Sequence, residues 1–153
     1  MKDIEYAHRA VAIIGEALGL ELEMDSSHGC SFAFEQVHRL DLRLPCERAF
    51  TIRAELVRAA PDHRPERLAA ALKLNKTYGA ETRNFGYDAE VERIVFESTV
   101  DATGQDSLEI AERLADECVF AAHSADSLRL TESDLTTVST TASDPASFPV
   151  LHV

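Results

Sequence analysis

The chain has 153 residues, 45% of them apolar, and a formal net charge of −12 from 27 acidic and 15 basic side chains. That length holds one domain with room for an appendage, and the composition is globular rather than disordered. An acidic balance without any Lys/Arg cluster excludes binders that track nucleic-acid phosphates and argues against anionic membrane surfaces.

The first segment predicts a helix over 3–18. Ile4, Ala7, Val11, Ile14 and Leu18 recur at helical spacing on one face, Asp3 and Glu5 complement the dipole in the first turn, and Gly19 accepts the left-handed stop. Strand periodicity follows. Leu20-Glu-Leu-Glu-Met24 alternates apolar with acidic residues, which predicts a half-buried strand, and Asp25-Ser-Ser-His-Gly29 is a turn by composition. Phe32 and Phe34 share a face of the next strand. His38, Leu40, Leu42 and Leu44 share a face of a third, which Pro45 ends, and Phe50, Ile52, Ala54 and Leu56 share a face of a fourth.

Pro61 and Pro65 bracket a break, and Pro65 suits the first turn of a short helix carrying Leu68 and Leu72 to about Asn75. Two strands are expected at about 81–87 and 91–100, with Ile94, Phe96 and Val100 on the buried side of the second. Asp106-Ser-Leu-Glu109 has capping-box spacing. The helix it opens carries a stripe of Leu108, Ala111, Ala115, Cys118 and Ala122, widened by Ile110, Leu114 and Val119, and is expected to end near Ser124. From Asp126 onward Ser and Thr dominate, so residues 1–125 are expected as the domain and 126–153 as a mobile tail, pinned at most by Phe148 or Val150. The fold class is α+β, an antiparallel twisted sheet flanked by three helices.

No catalytic constellation stands out. His28-Gly-Cys30 places two soft ligands close together, but no second pair completes a zinc site. Cys46 lacks the local signature of a nucleophile, and the paired carboxylates Asp41/Glu47 and Glu92/Glu97 are what chance supplies in so acidic a chain. Neither an enzyme nor a cofactor or metal is expected. Three scattered cysteines, no span of roughly 20 apolar residues and no cleavable leader point to a reducing, cytoplasmic setting. What remains is apolar surface: Ile13 off the main stripe of the first helix, and Leu20, Leu22, Phe32 and Phe34 on neighbouring strands. Beside a sheet edge, such residues form a surface onto which a partner can add a strand.

Taken in order, these residues resemble the class I type III secretion chaperones, the Tir chaperone family. The resemblance runs from the amphipathic first helix into Leu18-Gly-Leu20-Glu-Leu22-Glu-Met-Asp25. It continues through Gly29-Cys30-Ser-Phe32-Ala-Phe34 and the leucine-alternating strand, then Phe50-Thr-Ile52-Arg-Ala54-Glu-Leu56 and Arg67-Leu68-Ala-Ala-Ala-Leu72-Lys-Leu-Asn75, and ends with two strands and a long helix, over about residues 1–124. Glu81-Thr-Arg-Asn84 is more polar than the family's strand after the Gly-Ala pair, and the Ser/Thr tail lies outside the pattern. The resemblance implies the order α-β-β-β-α-β-β-α and a cytoplasmic homodimer working without cofactor. It implies binding the N-terminal segment of a secreted effector, keeping it unfolded and passing it to the secretion apparatus, with the secretion ATPase as a further partner. Ile13, Leu20, Leu22, Phe32 and Phe34 would line the effector grooves, and Leu68, Leu72, Ile94 and Phe96 would build the dimer seam. The competing reading is a small cytosolic α+β enzyme or ligand-binding domain with a cavity between helix and sheet.

Overall fold

The computed structural model describes residues 2–46, 48–79 and 82–141, with the backbone alone for residues 2, 3, 46 and 130–141. In chain order the elements are α1 (Lys2–Leu18), β1 (Gly29–Phe34), β2 (Val37–Cys46), β3 (Ala49–Arg58), a 3-10 turn (Pro61–His63), α2 (Arg64–Tyr78), β4 (Arg83–Asp88), β5 (Arg93–Asp101) and α3 (Ser107–Thr141). The five strands form one sheet, ordered β1-β2-β3-β5-β4, with every neighbouring pair antiparallel. This is the α+β architecture expected, in the α-β-β-β-α-β-β-α order.

The period of two sorts the strands into faces. Phe50, Ile52 and Ala54 on β3 stand opposite Val100, Ser98 and Phe96 on β5, and Leu42 and Leu40 on β2 complete the same face. All eight are buried under α1 and α3, which pack on each other. α3 contributes Ile110, Ala111, Leu114, Cys118, Ala121, Ala122, Ala125 and Leu128 to this core. Against the expected stripe, Leu108 and Val119 face outward, 55% and 44% exposed. The other sheet face is polar: Ser31, Asp41, Arg53, Glu97 and Asn84 form one row across all five strands.

Two expectations are corrected. Leu20–Met24 is extended but is not a strand, because among the described residues no strand pairs with it and its one backbone bond, from the Leu20 N–H, goes back to the Gly15 carbonyl of α1. The last helix does not end near Ser124: it continues for 35 residues in all, and Ala125 and Leu128 continue the buried spacing, so the expected tail begins as packed helix. Residues 142–153, which include Phe148 and Val150, lie outside the described residues.

α2 seals the β4 edge of the sheet. The Asn75 side-chain amide donates to the Phe85 carbonyl (2.7 Å), and its oxygen accepts from the Phe85 N–H (2.7 Å), as a neighbouring strand would. Phe85, Phe96 and Phe120 then stack in a tilted cluster, with Tyr78 edge-on to Phe120 and the Arg83 guanidinium 4.4 Å over the Phe120 ring. The same guanidinium pairs with Glu117, which fastens β4 to α3. Arg67, buried, donates to the Arg58 carbonyl and ties α2 to the end of β3.

Candidate partner-binding surface

At the opposite end of the sheet the chain leaves α1 through a tight reversal. Gly19 takes φ +69°, a conformation glycine adopts cheaply, and the Leu20 N–H donates to the Gly15 carbonyl at 2.8 Å. A Cβ on Gly15 would stand 2.6 Å from the Leu20 oxygen and 3.2 Å from the Leu22 nitrogen, so only glycine lets the segment after the helix fold back this closely. The segment then runs extended with Leu20, Leu22 and Met24 half-buried and Glu21 and Glu23 exposed. With Ala12 and Glu16 of α1, Leu20–Glu23 line an open groove of about 720 Å³. Among the described residues, the backbone of Glu21–Met24 makes no backbone hydrogen bond.

The Asp25–Gly29 turn carries this segment into β1. One Asp25 carboxylate oxygen accepts from the Ser27 hydroxyl (2.6 Å), the Ser27 N–H (2.8 Å) and the Gly29 N–H (3.1 Å), while the Asp25 N–H donates to the Gly29 carbonyl (2.8 Å). The Ser27 hydroxyl, followed by the two N–H groups, holds the Asp25 carboxyl below its usual range. Both backbone groups of Gly29 are therefore occupied at the start of the edge.

Beyond Gly29, no strand among the described residues pairs with the outer edge of β1. The Leu44 N–H donates to the His28 carbonyl, and the register pairs Cys30 with Leu42 and Phe32 with Leu40. Antiparallel alternation therefore turns the N–H and C=O of Ser31 away from β2. Ala33 falls in the register shift between Phe32 and Phe34 and has no partner on β2. Ser31 and Ala33 are exposed, and Phe32 and Phe34 beside them are half-buried. The Ser31 hydroxyl donates to Asp41, which Arg39 also engages at 3.1 Å, so the edge is anchored from its polar face.

Of the residues expected in the effector grooves, Leu20 and Leu22 meet in one groove, and Phe32 and Phe34 stand on the adjoining edge. Ile13 is half-buried against the core on α1. Of the expected seam residues, Leu72 is 68% exposed and Leu68 half-buried on α2. Ile94 and Phe96 are corrected: both are wholly buried on the face of β5 that α3 covers, so neither side chain can reach a second copy. Sequence alternation had marked both residues as buried, and that burial lies inside one protomer. A second open groove of about 460 Å³ lies between α2 and α3, lined by Leu74, Tyr78, Val119 and Phe120 among others.

Nucleophilic chemistry has no foothold in the two described thiols. Burial pushes Cys30 up to about 11 and Cys118 up to about 12, so neither is a thiolate at neutral pH. Among the described residues no three His, Cys, Asp or Glu side chains converge as metal ligands, and no helix is long and apolar enough to cross a membrane.

The sequence matches the Tir chaperone protein (CesT) family over residues 9–121, which begins inside α1, takes in the whole sheet and α2 and ends inside α3. The chain belongs to that family. No curated protein matches it. The fold of this family member is similar to solved structures at low identity. One is a chain of the ExsC-ExsE complex, at 21% identity and a TM-score of 0.60 over 83% of this chain and 94% of that one. Another is a chain of the HopA1-SchA chaperone–effector complex, at 12% identity and 0.56 over 82% and 98%. A third is a chain of the heterodimeric ExoU-SpcU complex from the type III secretion system of Pseudomonas aeruginosa, at 16% identity and 0.53 over 81% and 95%.

Proposed function

We propose that this Tir-family chain is a type III secretion chaperone that binds the N-terminal region of a cognate effector, keeps it extended and delivers it to the secretion apparatus. The observation that carries this is the outer edge of β1: outward-facing backbone at Ser31, exposed Ser31 and Ala33, and half-buried Phe32 and Phe34 beside them, with the Leu20–Leu22 groove next along the chain. An extended segment gains main-chain hydrogen bonds at such an edge and places alternate side chains on the apolar residues. Part of the interaction energy is lost in ordering the segment, which suits a complex that must be stripped before export. The chain works as a binding protein and not as an enzyme, without nucleotide or cofactor.

A homodimer is part of the same reading, with the outward face of α2 at Leu68 and Leu72 as the seam. The secretion ATPase is the partner at the delivery step, in the cytoplasm. The chaperone domain is residues 1–125, extended by the turn of α3 that carries Leu128, and the remainder to Val153 is an appendage. Pull-down from the source bacterium followed by mass spectrometry is expected to recover a secreted protein through its N-terminal fragment. Phe32→Asp is expected to abolish that capture with an unchanged circular dichroism spectrum, and Leu72→Asp to shift light scattering to the monomer mass. Capture that survives Phe32→Asp, or recovery of folded partners alone, would overturn the reading.

A further inference from the structure

Across the sheet and α3, carboxylates are matched with arginines: Asp41 with Arg39, Asp88 with Arg53 and Glu117 with Arg83. The groove beside the end of α1 is built differently. Its apolar lining is Ala12, Leu20 and Leu22, and the rest of it is Glu16, Glu21 and Glu23, all exposed. No Lys or Arg lines it, and none of the ion pairs among the described residues uses these three glutamates. Nor do three carboxylates converge as a cation site among the described residues, so the negative charge is strung along the groove and not focused on one point. In the same stretch the backbone of Glu21–Met24 runs extended and bonds no other backbone among the described residues.

We infer that this groove selects, in the secreted partner, an extended segment whose apolar side chains alternate with Lys or Arg. The inference rests on the chaperone reading and names the chemistry of the segment that the chaperone takes. Alternation in the groove's own chain sets the demand: Leu20 and Leu22 are half-buried, Glu21 and Glu23 exposed. A segment lying extended beside Leu20–Glu23 presents every second residue to the leucines and the intervening ones to the glutamates. Apolar residues on the first side cover the half-buried leucines. Cations on the second side meet carboxylates that no residue of this chain neutralises, and Glu16 adds a carboxylate from the α1 side. The long stems of Lys and Arg cover further apolar surface while their heads reach the carboxylates. An acidic segment is repelled by the same three groups and by the net charge of −12, so the groove rejects as well as attracts. A second copy of this chain makes a poor occupant for the same reason, since it brings the same negative charge.

Titration of the full-length chain with three short synthetic peptides, in which leucine alternates with lysine, glutamine or glutamate, tests this through NMR amide shifts. The lysine peptide is expected to shift the amides of Glu21–Met24 and to bind about tenfold more tightly than the glutamine peptide at low salt, with no binding of the glutamate peptide. The preference is expected to shrink to about twofold or less at roughly 0.5 M salt, because exposed charges are screened. Glu21→Gln combined with Glu23→Gln changes only exposed side chains and is expected to keep the circular dichroism spectrum while binding the lysine and glutamine peptides alike. Leu20→Ser is expected to weaken both peptides by the same factor. Equal affinity of the lysine and glutamine peptides for the wild type, a preference that survives the double variant, or shifts that fall away from Leu20–Met24 overturn the inference. The pull-down separates this from the reading it rests on. If a secreted protein is recovered and Phe32→Asp abolishes its capture while the peptides show no preference, charge selection falls and the chaperone reading stands. If no secreted protein is recovered, the chaperone reading falls whatever the peptides do.

Discussion

The sheet has two outer strands, and they are finished in opposite ways. At β4, the Asn75 amide imitates a neighbouring strand at Phe85, the Phe85–Phe96–Phe120 cluster fills the space behind it, and the Arg83–Glu117 pair fastens the strand to α3. At β1, a side chain and a turn satisfy only Gly29, and the next positions, Ser31 and Ala33, face outward with half-buried phenylalanines between and beside them. Unpaired strand edges invite association, and proteins usually blunt them. Among the described residues one edge is sealed by three separate devices and the other has no neighbouring strand, so the backbone exposed for pairing is concentrated at one place.

The same substitution at the two edges sharpens the contrast most. Phe85→Ala empties a site that is 5% exposed and ringed by two other phenylalanines, and is expected to cost about 3–5 kcal/mol of stability. Phe32→Ala, at a half-buried site, is expected to cost about 1–2 kcal/mol, while partner capture falls sharply. Urea unfolding of both variants checks the difference, and equal losses would mean that Phe32 is core and not surface.

The next effect comes from the backbone. Asn75→Ala leaves the N–H and C=O of Phe85 without their partners in a part-buried setting, expected to cost about 2–3 kcal/mol. It also opens a second edge, so concentration-dependent aggregation on warming, read by light scattering, is expected to rise. Ser31→Pro is the mirror experiment. It removes an N–H that bonds nothing in β2, and a stability change below about 1 kcal/mol is expected together with loss of partner capture.

Much of this was legible in the letters, for reasons that also explain what was not. Periodicity reports which side chains are buried, and the alternation of β2, β3 and β5 did place their inner faces. It cannot report hydrogen bonding: Leu20, Leu22 and Met24 alternate as a strand does, yet among the described residues no strand pairs with them. Nor does it say within which body a residue is buried, which is why Ile94 and Phe96 read as seam residues and prove to be core. The length of α3 was hidden by composition, because Ser and Thr lower helix propensity only weakly and the buried spacing of Ala121, Ala125 and Leu128 overrides it. The Asn75 clamp had no sequence signal beyond a polar residue near a helix end. Gly15 had one, a glycine within a helical stripe, whose meaning appears only once Leu20 and Leu22 are seen to lie on it.

The smallest expected effect is electrostatic and tests whether the head of the open edge is held by charge. Asp25 and Asp101 build equivalent exposed turns, one before β1 and one after β5. Each carboxylate is held below its ordinary 3.8, by the Ser27 hydroxyl and the Gly29 and Ser27 amides for Asp25, and by the Thr103 hydroxyl and amide for Asp101. A folded-state value below the unfolded one means a stabilising contribution that is complete above the unfolded value and is lost as pH falls through the folded one. Below about pH 3.8, then, both turns loosen. They differ in what they release: protonated Asp25 frees the Gly29 N–H at the edge, whereas protonated Asp101 frees the Thr103 N–H in the turn leading to α3. Asp25→Asn is expected to exchange its Gly29 amide faster than wild type at neutral pH, with the gap closing as wild type is acidified. Asp101→Asn is expected to leave Gly29 unchanged throughout. A Gly29 protection, taken relative to the intrinsic exchange rate at each pH, that ignores both pH and Asp25→Asn would show that the turn is held by its backbone alone, and that the first residue of the β1 edge is fixed independently of charge.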